Sequence, residues 1–539
     1  MSANDEFTTM KDPAQFAVER LVDAGSDAGR DPDAVAIVDG DKTRTYAQLD
    51  DAASRVANGL VGLGLEHDDR VAFVGRNCVE SAELMLGAAR AGVVLTIVNW
   101  RLQPGELSFV IHDSAAVVVV TTTEFAETLR ALPEIAGVKQ FLVVDSPTAA
   151  DDWAAWIGRQ PLDAVTVKRT PVDVVVQLYT SGTTGRPKGA MLTRSSLAAC
   201  IPDTAALWEL DRTSVVLSVL PMFHIAGAGT LLGALWAGCR LIIDNDASTT
   251  GILRAVERHR VTNLVLASVM LQGLVRSPEC ATADLSSVRT ASYGAAPISS
   301  DVLNAARAKL PCRIMQPYGL TETTGVLTVL DAQDHAFNVD GPDAPAAIVR
   351  LRSCGRPRAG VEIRVVDIQT GSPLAAGKAG EVQARSARLM AGYWNQPEAT
   401  AEVLLPDGWF RTGDVGQVDG DGYLFLLDRL KDTIISGGEN IYPAEVEDVL
   451  HSHPDVAEVA IIGVPDERWG ETPLAVVVRN LGSGVTEADL IAFARTHLAG
   501  YKCPSRVEFS DALPRNPTGK VLRRALREPH WAGHERRIN

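Results

Sequence analysis

The apolar run Val172–Leu178, broken by Asp173 and Gln177, opens directly into Tyr179-Thr-Ser-Gly-Thr-Thr-Gly-Arg-Pro-Lys-Gly189. Five hydroxyl side chains, three glycines and a lysine fall within these eleven residues. The run reads as a buried strand, so the loop sits at the end of a sheet element rather than in a solvated linker. Thr180, Ser181, Thr183 and Thr184 can donate hydroxyls, and Gly182 and Gly185 free the backbone N–H groups to turn inward. Lys188 adds charge, and together these groups suit a polyphosphate. The loop is not of the Walker A kind: counted from Gly182, that pattern's second glycine would fall on Pro187. The plainer alternative is a Gly/Ser/Thr turn without a ligand.

The elements around the loop alternate. Val35–Val38 and Thr43–Thr45 flank Gly40-Asp41, a hairpin signature, and Thr45 with Gln48 forms a capping box. Leu49, Ala53, Val56, Ala57 and Leu60 then recur at helical spacing. Val71–Val74, Val93–Val98, Val117–Val120 and Phe141–Val144 read as buried strands, with a helix over 79–90. Beyond the loop, Ile252–His259 reads as helix and Leu264–Ala267 as strand. This alternation predicts an α/β fold of layered, mostly parallel sheets and helices. After about residue 345 the texture changes to short strands, Val361–Asp367, Gly380–Ala384 and Tyr423–Leu427, separated by Gly, Pro and Asp. A small β-rich unit over about 345–428 is expected there. Past Asp428-Arg-Leu-Lys-Asp432, helices at Pro443–His451 and Thr486–His497 and strands at Val456–Val464 and Leu474–Val478 predict a separate α+β unit. The expected domains are 1–428 and 429–539.

The 539 residues are too many for one core and fit about three or four structural units. A formal net charge of −16 argues against broad nucleic-acid binding. The seven cysteines are scattered, without a C-x-x-C pair or zinc spacing, and suit a reducing cytoplasm. The acidic start, Met1-Ser-Ala-Asn-Asp-Glu, lacks a signal-peptide core, and no run of 18 apolar residues predicts a spanning helix. A cytoplasmic protein is expected, with peripheral membrane contact left open.

Five further motifs carry chemistry, each with a plain alternative. Gln316-Pro-Tyr-Gly-Leu-Thr-Glu-Thr323 sets Glu322 among hydroxyls, where it can hold Mg²⁺ beside a polyphosphate or simply begin a helical turn. Ser292-Tyr-Gly-Ala-Ala-Pro297 ends a strand in small residues, which admit a flat ring such as adenine or merely make a turn. Asp414, in Gly408-Trp-Phe-Arg-Thr-Gly-Asp414, can accept both hydroxyls of a ribose or cap its own turn. His224 stands in the apolar segment Leu220-Pro-Met-Phe-His-Ile-Ala-Gly227, either lining a pocket or packed in the core. Lys520 follows a Gly turn in Leu513-Pro-Arg-Asn-Pro-Thr-Gly-Lys520 and, alone, would pass for a surface lysine.

Taken together and in order, these motifs resemble the adenylate-forming superfamily, which includes acyl-CoA synthetases, firefly luciferase and the adenylation domains of peptide synthetases. The resemblance runs from about residue 15 to 525 and is nearest to the fatty-acid–CoA ligases. It implies an acid–thiol ligase that uses ATP, Mg²⁺ and coenzyme A. The carboxylate attacks the α-phosphorus of ATP, pyrophosphate leaves, and the thiol of coenzyme A then displaces AMP.

By the same resemblance, the segment Thr180–Lys188 binds the triphosphate. Gly294, Ala295, Ala296, Pro297, Gln316, Tyr318 and Gly319 line the nucleotide. Thr321 contacts the α-phosphate, Glu322 holds Mg²⁺, and Asp414 and Arg429 take the ribose. Lys520 bridges the carboxylate and the α-phosphate, and His224 lies near the acyl pocket. Residues 429–539 become a mobile lid that turns about Lys431, with Gly437 and Gly438 letting backbone approach the pantetheine arm. Some relatives carry a second lysine just after the hinge, but this chain reads Asp432-Thr-Ile-Ile435 there. The acyl pocket, near His224–Gly229, Ala267–Leu271 and Ser292–Thr324, is apolar and shows no obvious cation for a second carboxylate. A hydrophobic monocarboxylic acid is expected: a medium- or long-chain fatty acid, or an aryl or steroid-derived acid. Loading of a separate carrier protein, a luciferase-like oxygenase and a non-enzymatic nucleotide-binding scaffold are the alternatives. Monomer and homodimer both remain open.

Overall fold

The computed structural model describes residues 16–22, 31–148, 150–181, 186–295, 298, 300–336, 344–437, 439–466, 468–515 and 521–532. Contacts divide the chain into two compact units. The first comprises Met1–Glu362 with Arg385–Phe410, and the second Ile363–Ala384 with Arg411–Asn539.

The first unit is built on two sheets. Six strands run in the order Gln140–Val144, Ala116–Thr122, Arg70–Val74, Val94–Val98, Val174–Ser181 and Pro187–Thr193. All neighbours in it are parallel except the last pair, which is antiparallel. The second sheet has nine strands, from Arg356–Pro357 at one edge to Lys42–Thr45 at the other. Its interior strands, including Asn263–Ala267, Thr290–Gly294 and Arg313–Leu320, are parallel, and antiparallel pairs finish both edges. Strands covered on both faces should read as continuous apolar runs, and Arg70–Val74, Val94–Val98 and Asn263–Ala267 are buried at every position.

Helix Tyr46–Gly62 begins as its sequence requires. The Gln48 N–H donates to Thr45 Oγ1 at 3.2 Å, and the Thr45 N–H donates to Gln48 Oε1 at 2.9 Å. It packs on helix Val79–Ala91, where Gly87 is obligatory in size: a Cβ there would stand 2.4 Å from Val56.

The second unit holds most of the residues of a sheet of Val361–Val366, Gly380–Ser386, Phe410–Val418 and Leu424–Arg429. It also contains a sheet ordered Glu439–Ile441, Ile434–Ser436, Gly470–Arg479 and Val456–Asp466, with Arg506–Phe509 parallel to Gly470–Arg479. Ile434, Val446, Leu450, Ile461, Val477 and Leu490 are buried together in its core. The division expected at 428/429 and the compact units are therefore drawn differently, because the β-rich segments pack with the chain that follows them. Helix Pro443–His451 lies against Leu424–Arg429, and the Ala444 N–H donates to Asp428 Oδ2 at 2.9 Å. Among the described residues no helix is long and apolar enough to cross a membrane.

Candidate active site

The donor-rich loop joins two paired strands. Val174–Ser181 extends three residues beyond the apolar run, and the chain returns antiparallel along Pro187–Thr193, with Thr180 opposite Lys188 and Ser181 opposite Pro187. A hairpin therefore presents the loop, and Lys188 sits on its return strand, buried to 8% exposure. The Lys188 ammonium lies over the Tyr393 ring, 5.1 Å from its centroid, a cation–π distance.

Glu322 faces this hairpin from a 3₁₀ turn, Thr321–Thr323. Thr180 Oγ1 donates to Glu322 Oε1 at 3.2 Å, and the Tyr393 hydroxyl donates to the same oxygen at 2.9 Å. The turn itself is tightly held. The Thr323 hydroxyl donates to Gly325 O at 2.8 Å, and Thr324 takes the left-handed conformation at φ 54°. Gly319 is obligatory where this turn folds back, since a Cβ would lie 1.6 Å from Gly325 O. Mg²⁺ favours hard oxygens and keeps substrate phosphates and water in its shell. Among the described residues no group of three or more His, Cys, Asp or Glu could hold a metal. A cation here would rest on Glu322 and on oxygens carried by a ligand, and the half-buried carboxylate beside the Thr180 hydroxyl fits that requirement.

Gly294, Ala295, Gln316, Tyr318 and Gly319 stand at the carboxyl ends of two adjacent parallel strands, Thr290–Gly294 and Arg313–Leu320. A ligand crevice forms at such ends in open parallel sheets. A Cβ on Gly294 would come within 2.9 Å of Pro317 O, so only glycine lets the two strand ends lie this close. Gln316 is buried and accepts from the Tyr293 hydroxyl at 3.2 Å, which in turn meets His335 Nε2 at 3.1 Å.

His224 occupies the N-cap position of helix Ile225–Ala237, without a side-chain capping bond, and lies against the Phe223 ring at 4.5 Å. Its Nε2 is buried without a hydrogen-bond partner. Burial, with a smaller push from the Arg101 charge, brings its pKa down to about 4, so the ring is neutral at pH 7. Arg101 lies over the Trp100 ring, 4.7 Å from the centroid. The structure thus brings a cation near His224 that the spacing of the sequence did not reveal.

Within the second unit, Asp414 and Arg429 are register partners on adjacent antiparallel strands, and Arg429 Nε meets Asp414 Oδ1 at 2.8 Å. Lys431 lies in the 3₁₀ turn Leu430–Asp432. Gly437 is left-handed at φ 59°, and its N–H donates to Trp469 O at 2.8 Å. Gly182, Thr183, Thr184, Gly185, Ala296, Pro297, Gly438 and Lys520 lie outside the described residues.

Sequence reasoning missed Tyr393 and the framework behind it. Tyr179 donates its hydroxyl to Asp113 Oδ2 at 2.5 Å, and both burial and that carboxylate raise its pKa well above the usual phenol range. The Trp394 indole N–H donates to Asp113 O at 2.8 Å, and the Arg70 guanidinium stacks on the Trp394 ring at 3.3 Å. The one sequence signal for this framework was the aromatic pair after Gly392, in a stretch otherwise read as β-unit punctuation.

The chain matches the family model for AMP-binding enzymes over residues 26–394 and that for the AMP-binding enzyme C-terminal domain over 445–520. It is 40% identical to a feruloyl-CoA synthase of Amycolatopsis sp over 500 residues, 92% of this chain and 96% of the relative. It is 36% identical to the fatty acid–[acyl-carrier-protein] ligase ScoC of Streptomyces coeruleorubidus, over 95% of this chain and 96% of that one. Among solved structures, ATP-bound MatB from Rhodopseudomonas palustris superposes with a TM-score of 0.86 at 31% identity, covering 96% of this chain and all of that one (100%).

Proposed function

Because this chain belongs to the AMP-binding enzyme family, we propose that it is an acid–thiol ligase whose acid is a hydrophobic monocarboxylate, aryl or fatty, and whose thiol is coenzyme A. The observation that carries the ligase reading is the meeting of Thr180, Lys188 and Glu322 at the mouth of one hairpin. That cluster joins a cation, a hydroxyl donor and a hard-oxygen metal ligand at the end of a donor-rich loop.

The residues have distinct tasks in this reading. Donors of the hairpin and Lys188 hold the triphosphate, so that the leaving pyrophosphate departs into groups already aligned with its charge. Glu322 would hold Mg²⁺, which when bound supplies charge neutralisation at the phosphates. Tyr318, Gly319, Gly294 and Ala295 provide a flat slot for adenine, and Asp414 with Arg429 provides the ribose contact. Lys520 steadies the approach of the carboxylate to the α-phosphorus. The neutral His224, set against Phe223, lines the acyl side. Residues 429–539 act as a lid turning about Lys431, so that adenylation and thioester formation use different lid positions.

The feruloyl-CoA synthase relative favours an aryl or arylacrylic acid within the monocarboxylate class. The carrier-protein ligase relative supports a second reading, in which the thiol is a carrier's pantetheine arm. A kinetic panel of straight-chain, aryl and polycyclic acids with ATP and Mg²⁺ separates them, run with coenzyme A and with a pantetheinylated carrier. CoA-dependent AMP release with an aryl or fatty acid is expected. AMP release only with the carrier would replace the first reading by the second, and pyrophosphate release with no acid in the panel would sink both.

A further inference from the structure

Tyr393 is placed by backbone on two sides. Ala190 and Tyr393 form an antiparallel bridge, the Trp394 N–H donates to Gly189 O at 2.8 Å, and the Met191 N–H donates to Gly392 O at 3.0 Å. The segment is thereby an added edge on the return strand that carries Lys188. On its other side, the Met390 N–H donates to the Glu322 carbonyl at 2.9 Å, and Thr324 Oγ1 donates to Arg388 O at 2.7 Å. Arg388 is itself anchored, buried to 2% exposure with Nη2 2.8 Å from Asp203 Oδ2. The phenol is thus fixed relative both to the hairpin and to the turn of Glu322.

From this position one side chain serves two groups. Its ring face lies under the Lys188 ammonium, and its hydroxyl reaches Glu322. Among the described residues, both hydrogen bonds that the Glu322 carboxylate accepts fall on Oε1, from Tyr393 and from Thr180. A carboxylate with one oxygen engaged twice has its rotamer set, which leaves its other oxygen available to a divalent cation. Such outer partners orient a metal-binding carboxylate, and their loss typically weakens binding about 10–100-fold.

We propose that Tyr393 is the positioning residue for the metal carboxylate: its hydroxyl sets the orientation in which Glu322 meets the divalent cation of the nucleotide, while its ring holds Lys188 beside the phosphates. This rests on the ligase reading above. The phenol touches neither the acid nor the thiol in this role, so it belongs to nucleotide binding and the first half-reaction alone.

The test compares wild type with Tyr393→Phe, which keeps the ring and removes only the hydroxyl. ATP binding is measured calorimetrically in excess Mg²⁺ and again in EDTA. Y393F is expected to bind MgATP about tenfold more weakly and to bind ATP in EDTA within twofold of wild type. Its Mg²⁺ activation curve for pyrophosphate release should shift to about tenfold higher Mg²⁺. Conversion of a supplied acyl-adenylate by coenzyme A should stay within twofold. Equal weakening with and without Mg²⁺, or unchanged MgATP binding, overturns the assignment while leaving the ligase reading intact. A wild type whose ATP binding ignores Mg²⁺ overturns both. Should Y393F fail to fold, Thr180→Val strips the other donor from the same oxygen; its MgATP binding must weaken more than its ATP binding in EDTA, and equal weakening, the signature of a lost phosphate contact alone, overturns the proposal.

Discussion

Replacing Arg523 with methionine keeps the stem and removes the charge from a cluster of three acids. Arg523 begins helix Arg523–Trp531; its Nη2 lies 2.7 Å from Glu447 Oε2, and its Nη1 lies 3.3 Å from Asp428 Oδ1 and 3.8 Å from Asp432 Oδ2. The two closer contacts are worth about 6 and about 5 kcal/mol gross at an effective dielectric constant of about 20. Desolvation offsets much of that, because the Asp428 side chain is only 2% exposed and Arg523 18%. What remains on truncation is the cost of the buried Asp428 carboxylate losing its cation, about 3–5 kcal/mol, while Asp432 keeps Arg527 at 3.9 Å.

The pH dependence of that cost identifies its source. Burial, aided by the Glu447 charge, already outweighs Arg523 and raises the Asp428 pKa to about 6. Losing Arg523 raises it further. A carboxyl whose folded pKa lies above its unfolded value holds its proton better when folded, so stability falls as pH rises from about 4 through the folded value. The R523M penalty should therefore be full at pH 8 and reduced by about 1.4 kcal/mol or more at pH 5. Amide exchange on peptides spanning 444–450 and 523–531, corrected for intrinsic rates, reads it directly. A loss of protection of about 10²–10⁴-fold is expected at pH 8, and a loss at least about tenfold smaller at pH 5. Equal loss at both values, or protection within twofold of wild type at pH 8, would refute an ionised cluster held by Arg523.

His224, with its pKa brought down to about 4, should show no NMR titration above pH 5.5; a midpoint near 6.5 would place the ring in water. Because that pKa is depressed, the neutral ring favours the fold above about pH 6.5, and about 3 kcal/mol is lost as pH falls through 4, a loss that His224→Gln should lessen in acid unfolding. Gly319→Ala drives a Cβ into Gly325 O and should cost about 3 kcal/mol, read as a lowered melting temperature; an unchanged melting temperature would mean the turn relaxes freely. Lys520→Ala should lower adenylation about 10²–10³-fold and spare thioester formation from a supplied acyl-adenylate, and equal losses would exclude a role confined to the first half. Lys431→Pro should slow one half-reaction far more than the other, and equal slowing would remove Lys431 from the hinge.

The sequence was legible where local physics and tertiary demand coincide. The parallel strands could be read because burial on both faces makes them continuous apolar runs, and helix Tyr46–Gly62 because its capping box closes within four residues. The end of Val174–Ser181 was not read, since Tyr179, Thr180 and Ser181 are polar and continue the ladder through backbone bonds to the returning strand. Arg101 escaped notice for a related reason: its neighbours in space, Phe223 and His224, lie more than a hundred residues away along the chain. The grouping of Ile363–Ala384 with Arg411–Asn539 also depends on contacts with no local signature.

The same contrast explains why the sequence drew attention to the loop and not to Tyr393. A phosphate loop advertises itself, because its glycines and hydroxyls must be adjacent to wrap one ligand. A positioning residue need only be adjacent in space. Tyr393 pairs at the edge with Ala190, some 200 residues earlier, its hydroxyl donates to Glu322 and its ring lies beneath the Lys188 ammonium. The hairpin, the Glu322 turn and the 388–394 segment converge because backbone hydrogen bonds stitch the third segment to the other two. In the proposed reading, this third segment is what sets Lys188 and Glu322 relative to each other.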